Sequence, residues 1–473
     1  MLFNSFEYLI FLPLALFIYW FIANRNLRVQ NSFLLIISYL FYSWWDWRFL
    51  FLLLLSTIID YSFGKIIYTS KTRKKFFLWL SIVNNLAILG FFKYYNFFAD
   101  SFSDFAGLFG FEAHPYLLNI VLPVGISFYT FHGMSYVFDI YRGKVKPTND
   151  FIDYALFVCF FPLLVAGPIE RATHLLPQVK EKRTFRSQQF IDGLKMIIWG
   201  FFKKVVIADS IAPVVSDIFD NYNQYSGITL IYGSVLFAFQ IYGDFSGYTD
   251  IALGTAKLFG FELLTNFRFP YFSRNIAEFW KRWHISLSSW FRDYLYIPLG
   301  GSKKGKLITI RNTFIIFLVS GFWHGANWTF IAWGLFHALL FMPILLTGQT
   351  KTHLKEEVGG NNIFPSPKEV FQILTTFVLV TIGWIFFRAP DISTAVCYLQ
   401  RIFANLNSSP DYKAFYNFDL AMLIVLVVYD YVLLKKISIS PSLAFLFQML
   451  MCIAIAGCLL ENKFSNQFIY FQF

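Results

Sequence analysis

Charge is what this sequence has least of. Charged side chains make up 14% of its 473 residues, against about 25% in soluble domains. Hydrophobic residues reach 57%, and phenylalanine alone contributes 62. A soluble chain of this composition could not cover its apolar surface. An ordinary cytosolic enzyme is therefore excluded, and the chain reads as a polytopic membrane protein. Cysteine is scarce too. Cys159, Cys397, Cys452 and Cys458 lie in or beside apolar stretches and form no CxxC pair. That argues against disulfides and thiolate metal sites and leaves buried free thiols.

Several motifs are missing. Without HExxH there is no sequence support for a zinc peptidase, and without GxSxG none for a serine-hydrolase elbow. GGSKKGKL (300–307) fits GxxxxGK, but Leu307 stands where the Mg²⁺-binding hydroxyl belongs, so it reads as a basic cytosolic loop. No repeat and no low-complexity segment is evident. The first 24 residues lack a basic n-region, contain Glu7 and show no clean cleavage site, so they read as a retained span. The net charge of +11 comes from short basic clusters between apolar runs. That pattern suits the positive-inside rule and anionic lipid headgroups, not nucleic acid.

What is present is a succession of apolar runs, at about 6–23, 32–45, 47–67, 76–96, 117–138, 151–166, 190–207, 228–243, 251–261, 312–323, 326–346, 369–388, 418–434 and 442–460. A spanning helix needs about 20 such residues. The shorter runs must be re-entrant or broken helices, tolerated where protein or a cavity satisfies their backbone. The expectation is one all-α membrane domain over 1–473, with its motif-rich core at about 117–390. KTRKK (71–75), YRGKVK (141–146) and KEKRTFR (180–186) read as cytosolic. Residues 97–116, with Asp100, Asp104 and Glu112, read as outside, as do residues 216–227. Run 151–170 must then dip in and return, turning near Pro162 and the AGP at 166–168. The block 262–311 interleaves basic and aromatic residues, which suits amphipathic helices at the cytosolic interface. Residues 347–368 read as a loop.

FWHGANWTF (322–330) sets a histidine, an asparagine and two tryptophans inside an apolar run. His324 lies 13 residues past Arg311, about 20 Å of helix, against a hydrocarbon core about 30 Å thick. It is expected deep in the membrane. Gly321 and Gly325 allow a break or a close helix contact. On an unbroken helix Ser320, Asn327 and Trp328 share the face of His324 and form a polar pocket. A neutral imidazole there accepts a proton from a hydroxyl, or packs as a structural histidine; spacing leaves both open. His337 points to a different face on such a helix, which disfavours a shared metal. His284, in KRWHISLSSWFRD, either shapes a cytosolic entrance or packs structurally. Asp244 and Asp250, in IYGDFSGYTDIA, are expected in buried ion pairs, with Lys257, Arg268 and Arg274 the nearby cations.

Six stretches together resemble the membrane-bound O-acyltransferase family, in its bacterial alginate O-acetylase branch. They are LPVGISFYTFHGMSYVFDIYRG (122–143), FPLLVAGPIERATHLLPQ (161–178), IYGDFSGYTDIALGTAKLFGFEL (241–263), NFRFPYFSRNIAEFWKRWHISLSSWFRDYLYIPLGGSKKG (266–305), FWHGANWTFIAWGLFHALL (322–340) and GWIFFRA (383–389). The resemblance implies a helical bundle around a central tunnel with His324 near its middle as the catalytic residue. It maps a second family histidine onto His284. Trp323, Trp283, Arg282, Ser320, Asp244, His337, Asn327 and Trp328 are the supporting candidates, the last two to orient the imidazole or stabilise an oxyanion. It implies acyl transfer from a cytosolic thioester such as acetyl-CoA, with no bound cofactor or metal. The acceptor would be a hydroxyl of an extracytoplasmic polysaccharide or of a partner protein, with a separate extracytoplasmic acetyltransferase as partner. The setting would be the bacterial cytoplasmic membrane. Related branches transfer D-alanine to teichoic acid. A transporter without chemistry would not need His324, and the inverted repeats expected of one are not seen.

Overall fold

The computed structural model describes residues 1–111, 117–348, 357–409 and 417–460. Glu112 and residues 349–356 of the expected loop lie outside them. Among the described residues every regular element is helical. In lipid each backbone N–H and C=O must be satisfied within its own segment, which a helix achieves. Seven helices are long and apolar enough to cross a membrane: Arg48–Thr69, Lys74–Gly107, Gly227–Leu258, Lys306–His324, Trp328–Leu346, Pro367–Arg388 and Pro441–Leu460. The protein is an all-α, multi-pass membrane protein.

The chain forms two compact units. The first comprises Met1–Ile197 with Ala252–Leu264, the second Ile198–Ile251 with Thr265–Phe473. In the first, run 151–170 breaks where expected. Phe151–Cys159 stops at Phe160, Phe161–Ala166 begins with Pro162 in its first turn, and Gly167 is already extended. Several polar groups buried in this unit are paired. Asp60 accepts from the Ser81 hydroxyl at 2.9 Å and the Asn85 amide at 2.8 Å. His132 accepts from the Glu170 N–H at 3.0 Å, and the Glu170 carboxylate accepts from the Leu264 N–H at 2.6 Å. Buried polar groups are costly only when left unmade.

Two expectations change. Runs 228–243 and 251–261 belong to one helix, Gly227–Leu258. The polar GDFSGYTD stretch interrupts the hydropathy but not the backbone, because buried amines answer its carboxylates. Lys204 reaches Asp244 at 2.6 Å and Asp209 at 2.7 Å, and Lys203 reaches Asp250 at 2.6 Å. The expected ion pairs form, but with other cations. Lys257 pairs with Glu262, and Arg274 with Glu278 and Glu369. The reason is a close helix contact, where a Cβ on Gly247 would sit 2.7 Å from the Gly200 carbonyl. That contact sets the π-helix Phe202–Asp209 beside the carboxylates. The block 262–311 is also not confined to a surface. Its short helices Ile276–Arg282 and Ile285–Phe291 flank Trp283 and His284, exposed by only 0% and 1%. The aromatic rings go inward, and Arg274, Glu278 and Arg282 satisfy one another at 2.7 to 3.1 Å.

Run 312–346 divides as its glycines suggest. Lys306–His324 ends at the histidine, and Trp328–Leu346 folds back against it. The two backbones meet on glycine. A Cβ on Gly321 would lie 2.2 Å from the Phe330 carbonyl, and one on Gly334 would lie 2.3 Å from that of Phe317. Gly334→Val is expected to force the pair apart and lower the thermal midpoint in detergent, by the equivalent of about 1–3 kcal/mol or more. Gly457→Ala, where an added methyl meets nothing within 4 Å, should leave the midpoint unchanged or slightly raised.

Candidate active site

The site lies where the helix stops. His324 is the last helical residue of its segment, Gly325 is extended (φ −158°), and Asn327 caps the helix that follows. The imidazole is 4% exposed. Its ring lies 5.0 Å from Trp323, 5.1 Å from Trp333 and 5.4 Å from Phe387, centre to centre. His284 approaches from the other side at 6.4 Å. It packs edge-on against Phe245 at 4.7 Å and lies 5.9 Å from Trp323. Neither ring nitrogen of His284 has a hydrogen-bond partner among the described residues.

This break changes the expected pocket. Asn327 and Trp328 do not continue the face of His324. The Asn327 Oδ1 accepts from the Thr329 N–H at 2.9 Å, and its Nδ2 donates to the Pro390 carbonyl at 2.8 Å. Trp328 is 55% exposed. Ser320, one turn before His324 on the same helix, is buried. His337 does not diverge as an unbroken helix would require. Its ring lies 4.9 Å from Trp333, the same indole that flanks His324, and 5.1 Å from Trp280. Both its nitrogens lack hydrogen-bond partners among the described residues. Among the described residues no group of three His, Cys, Asp or Glu side chains could hold a metal ion.

The remaining candidates act at one remove. Trp283 packs on Phe267 at 5.0 Å and Trp384 at 4.9 Å. Arg282 donates to Glu278, and Asp244 belongs to the Lys204 ion pair. Sequence reasoning missed Phe245, Trp384 and Phe387 as parts of the wall. The signal available was the aromatic density of IYGDF and GWIFF, which reads equally well as lipid-facing surface.

Comparison with known proteins decides the family. The membrane-bound O-acyltransferase profile matches residues 39–357. The probable alginate O-acetylase AlgI of Pseudomonas aeruginosa is 41% identical over 400 residues, covering 84% of this chain and 73% of that protein. The peptidoglycan O-acetyltransferase of Helicobacter pylori is 36% identical over 421 residues, covering 82% of this chain and 77% of that protein. The teichoic acid D-alanyltransferase of Bacillus subtilis is 31% identical over 241 residues, covering 47% of this chain and 58% of that protein.

The chain belongs to the membrane-bound O-acyltransferase family. It is an O-acyltransferase, and His284, His324 and His337 all fall inside the matched stretch. Burial pushes the pKa of His284 down from 6.5 to about 3, because a charged ring in this aromatic wall has lost its water. The acyltransferase therefore holds a neutral imidazole there throughout the physiological range. The sign of the linkage follows. In the unfolded chain the ring titrates at its ordinary 6.5, so protonation favours unfolding. The stability that His284 contributes above that pH is lost as pH falls from 6.5 towards about 3. Thermal midpoints measured across this window should fall less steeply in His284→Gln than in wild type.

Proposed function

We propose that this acyltransferase moves acetyl groups from a cytosolic thioester, such as acetyl-CoA, to hydroxyl groups of a polysaccharide outside the bacterial cytoplasmic membrane. The observation that carries the reading is the pair of buried imidazoles, His324 and His284, facing each other at 6.4 Å inside an aromatic wall. The names of the Pseudomonas and Helicobacter relatives support acetyl as the acyl group and a polymer as the acceptor. The whole chain reads as one acyltransferase domain, since the family match draws on segments of both units.

His324 acts as general base. It takes the proton of the acceptor hydroxyl as that oxygen attacks the thioester carbonyl. The tetrahedral intermediate then collapses, the carbon–sulfur bond breaks, and the thiolate recovers the proton from the imidazolium. General-base help of this kind contributes about 10²–10⁴-fold. His284, neutral and with no partner among the described residues on either ring nitrogen, offers an N–H to the developing oxyanion. A donor of this kind matters most in a dry site. Asn327 is less suited to that task because both ends of its amide are engaged. Transfer reaches the polymer directly or through a separate extracytoplasmic acetyltransferase that takes the acyl group onto its own hydroxyl.

The test is the acyl-ester content of isolated surface polymers, read by NMR, in a deletion strain complemented with variants present at equal membrane levels. Wild type should restore acetyl esters, and His324→Ala should restore none above the deletion. His284→Ala should restore them at least about tenfold more slowly. Full restoration by His324→Ala would overturn the mechanism. Restoration of D-alanyl in place of acetyl esters would keep the mechanism and replace the acyl group.

A further inference from the structure

His284 holds a backbone conformation that its own chemistry disfavours. Its φ of 43° and ψ of 55° are left-handed, a region that strains any residue with a Cβ. Such a turn persists only where its surroundings fix it, and relaxation of the turn would swing the imidazole out of place. Two main-chain hydrogen bonds bracket it. Arg268 N–H donates to the Arg282 carbonyl at 3.0 Å, and Ile285 N–H donates to the Asn266 carbonyl at 2.9 Å. Residues 283 and 284 are pinned between these two rungs.

Asn266 then adds its side chain. Its Oδ1 accepts from the Ser286 hydroxyl at 2.5 Å. Its Nδ2 donates to the Thr249 hydroxyl at 3.4 Å, on the helix that sets Phe245 against His284. Asn266 is fully buried, at 0% exposure. A buried asparagine whose carbonyl and Oδ1 are both spent on the two residues after a strained histidine does more than fill space.

We propose that Asn266 is a positioning residue for His284: its carbonyl and Oδ1 hold the left-handed turn from the far side, and its Nδ2 registers that turn against the helix bearing Phe245. The proposal rests on the reading of His284 as a group that faces the reacting atoms. Asn266 touches no substrate and acts only through the histidine. Misplacement of a catalytic group by about 1 Å costs about 10²-fold.

The experiment uses the full chain in the complemented deletion strain. It measures the rate at which cells rebuild whichever acyl ester wild type restores, acetyl or D-alanyl, together with the thermal midpoint of each variant in detergent. Asn266→Leu, of similar volume but without polar atoms, should slow the rate by about 10- to 100-fold. Asn266→Asp keeps the shape and the oxygen that accepts from Ser286 and should recover most of the loss; Ser286→Ala, which deletes that bond and leaves the Asn266 side chain whole, should slow the rate as well, which a packing role of Asn266 would not produce. In the His284→Ala background Asn266→Leu should cause no further loss, since groups acting through one another are non-additive. Should Asn266→Leu fail to accumulate in the membrane, Ser286→Ala removes the same side-chain bond and is read in the same way. Losses that multiply in the double variant, or Asn266→Leu at the wild-type rate, overturn the positioning role alone. A wild-type rate in His284→Ala overturns the reading of His284, and this proposal with it.

Discussion

The structure turns on a helix that stops inside an apolar chain. Within lipid a helix cannot simply end, because its last carbonyls have no water to bond. Here Lys306–His324 and Trp328–Leu346 are held back to back by glycine against carbonyl, and Asn327 satisfies the start of the second helix with its own side chain. The break is thus stabilised on both sides without a charged group. Its product is an imidazole at a helix terminus, surrounded by rings that arrive from Pro367–Arg388 and from the 276–291 segment of the same unit. Had the helix continued, His324, Asn327 and Trp328 would form a stripe along one cylinder, and His337 would face elsewhere. With the reversal, one indole, Trp333, borders both His324 and His337.

Much of this was legible in the sequence, for reasons that can be stated residue by residue. Hydropathy places the spans because the cost of exposing a backbone to lipid does not depend on tertiary detail. Gly321, Gly325 and Pro162 mark breaks because they act locally. What the sequence does not display is which long-range partner wins. Asp244 and Asp250 demanded cations, and the neighbours in sequence were Lys257, Arg268 and Arg274. The partners are Lys203 and Lys204, brought in by a glycine contact between helices. The same limit explains the 262–311 block. Basic and aromatic residues in alternation look like a membrane surface until Arg274 and Arg282 are seen to be held within the protein by Glu278 and Glu369. The rings are then free to turn inward. Asn266 was invisible for a related reason, since an asparagine in NFRFP reads as a turn residue.

The scarcity of charge in this chain has a counterpart at the site. The ring neighbours of His284 and His324 are aromatic side chains. In the familiar triad a carboxylate orients the base and favours its charged form. In a wall of indole and phenyl rings, orientation comes from packing and from the strained turn at His284.

The π-helix Phe202–Asp209 also limits how this protein can change. Lys203 and Lys204 are adjacent, yet each amine meets its own carboxylate, because the wider turn lets consecutive side chains address different parts of the neighbouring helix. Loss of a single residue from this stretch would let it tighten to ordinary α-helical winding, and the two lysines would then no longer address the same carboxylates. One amine, at least, would then lie in the core without its counter-ion. Substitutions elsewhere in the segment can accumulate one at a time, whereas a change in its length would have to arrive together with a rearrangement of the carboxylates opposite. The segment is a fixed ruler within a chain whose loops are free to lengthen.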